Sequence, residues 1–432
     1  MEELEMEPPA QGAIDRYRTH RHLYFVTGFL NIFGNGTLLL AGTIFVYQAT
    51  HNLTDVALIM AAVNLPSVFL IGPATWLAAH WGGAKLFVGR QVGGFLLCVV
   101  GAALYAGGWM TVPILLCWFL ALGVVTGLTS VALPLVAQIL TAPGESQEFN
   151  SNAASIISGA LATGAVLGAV IFDSVGLGWI FVVDGLSCIP MGLVFFSLMN
   201  RHTHVAPAER ERLRTSIAIL KSTPGLRAIF VFTSICFFIG GYTVTLPAIA
   251  GSINSSATTL AWMHAASIGG AALVGVGVRR LHLRVAWGRV QQAALLAFTV
   301  GIFFILLVRI AWVEDMGLSP ILALALVLFA VFPIGFALGL DATLLNGLVQ
   351  VNAPPHVRSS LLSAYTVIPL AMVPVGQGAI GAVADSFGVA PALGAIGLAA
   401  LLYACIAPRT ALGRAFDLLD DSAVAPAPAR AG

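Results

Sequence analysis

Long apolar runs, each about the length of a membrane-crossing helix and separated by short polar breaks, recur from residue 22 to residue 407. A helix that crosses the hydrocarbon core needs about 20 mostly apolar residues. Twelve stretches meet that length: 22–48, 56–79, 86–107, 111–140, 151–172, 177–198, 226–249, 259–281, 290–312, 319–350, 359–384 and 389–407. They predict twelve transmembrane helices, numbered here as spans in chain order, in an all-α membrane protein. Most connections are short. The exception is 200–225, polar and containing "AERERLRTSIAILK", which reads as an amphipathic helix lying at the membrane surface. It divides the chain into an N-terminal six-helix bundle over 22–199 and a C-terminal one over 226–407, with tails at 1–21 and 408–432. The ends "MEELEMEPPAQ" and "AVAPAPARAG" read as disordered. The first run, preceded by "RYRTHRH", is too long and its flank too polar for a cleaved signal peptide.

Composition agrees with a bilayer as solvent. The 432 residues are 58% hydrophobic and 9% charged, against about 25% charged in soluble domains. A net charge of +1 gives no reason to expect a nucleic-acid partner. Cys98, Cys117, Cys188, Cys236 and Cys405 all lie in apolar runs at spacings that suit neither a disulfide framework nor a zinc site, so they read as small core hydrophobes. His202 and His204 share the central loop without a third ligand, and no metal or other cofactor is expected.

The 20 Lys and Arg residues are one-sided. Arg16, Arg18 and Arg21 precede span 1, Lys85 and Arg90 flank the link between spans 2 and 3, and Arg279, Arg280, Arg284 and Arg289 surround that between spans 8 and 9. Six more lie in or beside the central linker, and the rest but one fall on that same side. Only Arg309 falls on the other face, near Glu314 and Asp315. By the positive-inside rule both termini and the linker are cytoplasmic in a multi-pass protein of the cell membrane.

One short phrase is written twice. Span 5 ends in "GAVIFDSVG" (Gly168–Gly176) and span 11 in "GAVADSFG" (Gly381–Gly388). A fainter echo pairs "HWGG" (His80–Gly83) after span 2 with "AWGR" (Ala286–Arg289) after span 8. Equivalent positions in two six-span halves mark a parallel internal repeat related by an axis along the membrane normal.

On these features the sequence resembles the major facilitator superfamily, and within it the branch of enterobactin exporters and macrolide-efflux permeases. The resemblance runs over most of the chain and is carried by "VYQATHNLTDVALIMAAVNLPSVFLIGP" (Val46–Pro73), "FNSNAASIISGALATGAVLGAVIFDSVGLGWIFVVDGLSCIP" (Phe149–Pro190) and "VNAPPHVRSSLLSAYTVIPL" (Val351–Leu370). Two family signatures are altered. In the charged loop after span 2, which latches the halves in the outward-closed state, Ala79 and His80 hold the Asp and Arg positions and Gly83-Ala84 the basic pair, while Gly82 is kept. The antiporter signature of span 5 keeps its glycines as Gly159, Gly164 and Gly168, with Ala165 for the proline. Such spacing lets helix backbones approach closely.

The resemblance implies that spans 1, 4, 7 and 10 line a central cavity. Thr27, Asn31 and Asn35 share one face of span 1. Amides are not left facing lipid, so this stripe lines either the cavity or a helix–helix contact, and cavity lining is the expectation adopted. Relatives carry an acidic residue at the Gly34-Asn35-Gly36 site, absent here. Tyr242 on span 7 and His264 on span 8 join the expected substrate cavity. Asp341 on span 10 and Asp184 on span 6 are the carboxyls furthest inside spans, and such groups mark ion pathways by default. Asp341, at mid-depth on a cavity helix by resemblance, is the expected carrier of the transported proton. Asp184 is the second candidate, though its place on span 6, peripheral by resemblance, reads first as structural capping or pairing near the outer surface. Asp173 and Asp385 are expected to be interfacial loop residues.

The implied function is proton-driven export of small amphipathic molecules, drug-, antibiotic- or siderophore-like, by an antiporter acting as a monomer in the lipid bilayer. An uncoupled facilitator or importer of a metabolite, and a transporter-derived receptor or scaffold, stay open. No nucleophile elbow, phosphate loop or His/Asp/Glu cluster points to an enzyme.

Overall fold

The structure, a computed structural model, describes residues 11–132, 140, 146–199, 218–254, 256–280, 287–313, 317–354 and 357–415. The described residues form helices and connecting turns, with no strand among them. In chain order these are α1 (Gln11–Thr50), α2 (Leu53–Phe69), α3 (Ile71–Trp81), α4 (Gly83–Ala106), α5 (Val112–Leu128), α6 (Ser146–Val175) and α7 (Leu177–Ser197). The second half continues with α8 (Pro224–Ile239), α9 (Leu246–Ile253), α10 (Ala257–Arg280), α11 (Trp287–Val313), α12 (Pro320–Asn352), α13 (Arg358–Phe387) and α14 (Val389–Ile406). We name the two faces by their expected sidedness: the outer face carries the α1–α2, α6–α7, α9–α10 and α13–α14 turns.

Ten crossings are long and apolar enough to span a membrane, or up to eleven when the bent pair α2–α3 counts as one. The shorter apolar α5 occupies predicted span 4, so the count among the described residues falls short of twelve. Predicted span 2 is formed by α2 and α3, with a bend of 60° at Leu70. Pro73, just beyond the bend, has no N–H for the Phe69 carbonyl and its ring crowds that group. Span 7 is broken instead by a 3-10 segment, Gly240–Thr245, between α8 and α9. At the start, α1 begins at Gln11, inside the expected tail. At the end, α14 is followed by a 3-10 turn at Ala407–Arg409 and a helical stretch at 411–415. His202, His204 and most of the predicted surface helix lie outside the described residues.

Helix pairing repeats between the halves. In the first, α4 packs on α7, α1 on α6 and α7, and α2 on α5; in the second, α11 packs on α14, the broken span 7 on α13 and α14, and α10 on α12. Each pair of the first set becomes one of the second on moving six spans along the chain. Two seams join the halves, α6 with α10 and α2 with α13, and the same shift exchanges them. This is the fold of parallel six-helix repeats.

Small residues set the close contacts. A Cβ on Gly164 would stand 2.6 Å from the Phe33 carbonyl oxygen, and one on Gly168 2.7 Å from Thr37 Cβ, so α6 touches α1 there. Gly159 has nothing within 4 Å and takes no part in that contact, a correction to the expected three-glycine motif. Gly127 against Ser67 and Gly339 against Ala271 repeat one device at the α5–α2 and α12–α10 pairs. Cys98, Cys188 and Cys236 are buried, whereas Cys117 and Cys405 are exposed, contrary to the core role expected of all five.

Candidate functional site

The polar stripe of α1 turns away from the seams between the halves. Thr27 and Asn31 are buried, 7% and 6% exposed. The Thr27 hydroxyl lies 2.7 Å from the Leu23 carbonyl and 3.1 Å from Met191 Sδ. Asn31 donates to Ser187 Oγ at 3.4 Å, and the Gln91 amide donates to Asn31 Oδ1 at 3.3 Å. Both residues therefore tie α1 to α4 and α7 within one half, where cavity lining was expected. The i,i+4 spacing identified a shared face but not the neighbour it meets. Asn35 spends its amide on the Asn31 carbonyl at 2.9 Å and stays half-buried.

Asp184 stands against the same knot from α7. A Cβ on Gly34 would be 2.6 Å from Asp184 Oδ1 and 2.5 Å from Ser187 Oγ. A carboxyl group thus reaches the Gly34-Asn35-Gly36 site from another helix. The Cys98 thiol donates to Asp184 Oδ2 at 3.3 Å, while Oδ1 is buried without a hydrogen-bond partner. Arg90, on α4, is within electrostatic reach.

Asp341 sits in the counterpart knot. The Gln291 amide donates to Oδ1 at 2.6 Å and the Tyr403 hydroxyl to Oδ2 at 3.0 Å. Gln291 is on α11 and Tyr403 on α14, and Cys236 on α8 borders the same carboxyl. Asp341 has no exposed surface, so it does not line an open cavity. The chain placed Asp341 within span 10; it did not show the direction in which α12 turns this side chain.

Tyr242, in the 3-10 break, has no exposed surface either. Its hydroxyl lies 3.4 Å from Ser267 Oγ on α10 and its ring meets Phe298 edge-on at 5.9 Å. It too is a packing residue of the second half, not part of a cavity wall. His264 on α10 is half-buried. Of the five predicted cavity residues, Asn35 and His264 retain partial access.

Sequence reasoning passed over the break itself. Gly241 lets span 7 meet α13: a Cβ there would be 2.6 Å from the Gln377 nitrogen. The Gln377 amide donates to Thr243 Oγ1 at 3.1 Å, and its buried Oε1 has no partner. The Gly240-Gly241 pair followed by Pro247 was the available signal, since interrupted helices point to binding sites in transporters. Above the break, toward the outer face, a cavity of about 440 Å³ opens between the halves. Ile44 and Tyr47 of α1, with His51 just beyond its end, face Ser252, Leu260 and Arg309 of the second half across it. Its mixed lining of apolar and polar side chains suits a ligand that is partly apolar and partly polar.

Known proteins agree with this architecture. Residues 24–373 match the model of the Major Facilitator Superfamily. No curated protein matches the chain. Among solved structures, the nucleoside transporter NupG superposes with a TM-score of 0.71 at 10% identity, covering 89% of this chain and 98% of its own. The peptide transporter POT gives a TM-score of 0.66 at 14% identity, covering 91% and 95%. A bacterial homologue of the human lysosomal transporter Spinster, solved inward-facing and unoccupied, gives 0.57 at 15%, covering 95% and 99%. The chain belongs to the Major Facilitator Superfamily and is a multi-pass membrane transporter.

Proposed function

We propose that this transporter is a proton-coupled exporter of small amphipathic molecules, working as a monomer in the cell membrane with both termini and the 200–225 linker in the cytoplasm. The observation that carries the reading is the pair of equivalent seams, α6 on α10 and α2 on α13. Two similar halves joined along matched seams can rock as rigid bodies, closing one face as the other opens. The cavity between α1 and the second half, apolar at Ile44 and Leu260 and polar at Tyr47 and Arg309, supports an amphipathic cargo. The one-sided Lys and Arg distribution supports the orientation.

For the proton, the geometry favours Asp184 over Asp341. Both Asp341 oxygens already accept hydrogen bonds, from Gln291 and Tyr403, which fix the carboxylate within its own bundle. Asp184 has one oxygen without a donor. It also fills the place beside Gly34 where the resembling branch carries its own acidic residue. Intramembrane carboxyls are functional candidates by default. The substrate contact from α1 falls to Asn35, the accessible end of its stripe.

A second reading, carriage of a polar metabolite without proton coupling, draws support from the likeness to transporters of nucleosides and peptides. Accumulation of candidate drugs in intact cells making the protein, with and without a protonophore, separates the two. Export predicts lower accumulation that the protonophore restores. A facilitator leaves accumulation indifferent to the protonophore.

A further inference from the structure

The repeated Asp-Ser-x-Gly phrase marks two bridges between the halves. Asp385, near the end of α13, accepts from the Leu53 N–H at 2.9 Å, the Thr54 N–H at 2.8 Å and the Thr54 hydroxyl at 2.6 Å. Leu53 and Thr54 open α2, in the other half. Asp173, near the end of α6, accepts from the Ser256 hydroxyl at 3.0 Å, the Ala257 and Thr258 N–H groups at 3.3 Å each, and the Thr258 hydroxyl at 3.1 Å. Those residues open α10, again across the boundary. The expectation of simple interfacial loop residues is therefore corrected.

Each carboxylate acts as a cap supplied from the opposite half. The first N–H groups of a helix have no partner within it, and the helix dipole places partial positive charge there. An aspartate at that end satisfies both with charge-assisted bonds. The rest of the phrase serves the same geometry. Gly176 and Gly388 take φ of 81° and 95°, which glycine adopts without strain, and turn the chain at once into α7 and α14. The aspartate is thereby held at the outer tip of its helix, facing the start of another.

The inner signature after span 2, Thr75–Ala84, carries no carboxylate. Ala79 holds the position of its acid, and the His80 ring is turned onto its own helix, tilted against Trp76 at 4.3 Å with Nδ1 2.8 Å from the Trp76 carbonyl. Ser256 and Ala257, held by Asp173, also line the cavity between the halves. Releasing Asp173 therefore frees part of the cavity wall.

We propose that Asp173 and Asp385 are the outer-gate residues of the transport cycle, a symmetric pair of carboxylate latches that hold the outer face shut and release when it opens. They are positioning residues, acting on the halves and not on cargo. The proposal rests on the reading of the chain as an alternating-access transporter.

The test measures gate opening without cargo or a proton gradient. In a variant with the five native cysteines replaced, a single reporter is placed by Ala250→Cys on the cavity wall, where the side chain is buried while both latches are closed. Its rate of modification by a membrane-impermeant maleimide is measured in right-side-out vesicles. Asp173→Asn and Asp385→Asn keep side-chain shape but bring an amide donor to a place that needs an acceptor. Each is expected to raise the labelling rate about tenfold, a population shift of roughly 1.4 kcal/mol. The double variant is expected to exceed either, and Asp385→Glu to recover part of the closure. Thr54→Val and Thr258→Val, which remove a donor and leave the charge, give smaller rises. An unchanged rate in the double variant overturns the proposal. So does an equal rise at a buried reporter, Cys236 restored alone, because that reports general loosening. Shifted labelling without transport would fault the functional reading alone, and transport with unshifted labelling would fault the latch alone.

Discussion

Gln291 on α11 donates to Asp341 on α12 at 2.6 Å, inside a bundle where Asp341 has no contact with solvent. Gln91, at the equivalent place on α4, donates to Asn31 on α1. One amide in each half thus ties neighbouring helices together near its base. Leaving a buried charged or polar partner unmet costs about 1–3 kcal/mol, more than the bond contributes net. Gln291→Leu is accordingly expected to lower stability by that amount. Asp341→Asn, which stays polar and hydrogen-bonded to Tyr403, is expected to cost less. Thermal unfolding of the purified variants in detergent followed by tryptophan fluorescence decides; equal losses would mean the knot is not a unit.

The two asparagines of α1 part company in the same way. Asn31→Leu strands the Gln91 amide and is expected to reduce stability while leaving the order of substrate preference intact. Asn35 makes only a local bond to the Asn31 carbonyl. Asn35→Leu is expected to change substrate preference at near-normal expression. Resistance profiles across a panel of compounds, normalised to membrane protein level, check both; the opposite assignment would return the cavity to Asn31.

The glycines of α6 give a contrast within one helix. Gly164→Val places a methyl-bearing carbon against the Phe33 carbonyl and is expected to force α6 from α1, with loss of folded protein. Gly159→Val meets open space and is expected to be tolerated within about 0.5 kcal/mol, the range of ordinary surface changes. Yield of monodisperse protein on size exclusion reads both at once.

Proton carriage by Asp184 predicts that Asp184→Asn still binds and equilibrates cargo but no longer concentrates it, whereas Asp341→Asn still concentrates it. Transport in vesicles at several imposed pH gradients separates the two carboxyls. If Asp341→Asn is the variant that loses coupling, the original expectation from the chain stands and the unpartnered oxygen of Asp184 has another meaning.

Much of the architecture was legible in the chain because burial in lipid leaves one strong signal, the length of apolar runs. The repeat of "GAVIFDSVG" and "GAVADSFG" announced the two halves before any contact was known. What the chain did not disclose was direction around each helix axis. Thr27, Asn31, Asp341 and Tyr242 all have the polarity of cavity residues, yet each turns into its own bundle, where Met191, Gln91, Gln291 or Ser267 receives it. In a uniformly apolar span no amphipathic stripe tells inside from seam, so a lone polar residue shows depth and little else. The latches were hidden for a different reason. Their partners are mostly backbone N–H groups at Leu53, Thr54, Ala257 and Thr258, which carry no side-chain signature.

Export driven by protons can be measured with purified protein in proteoliposomes whose interior is made acid. External ethidium, a macrolide and a catecholate chelator are offered in turn, and the amount inside is followed against empty liposomes. Proton-driven export predicts that at least one accumulates above its external concentration and leaks back when a protonophore collapses the gradient. Movement that stops at equal concentrations, with no response to the protonophore, would contradict coupling and make the protein a facilitator.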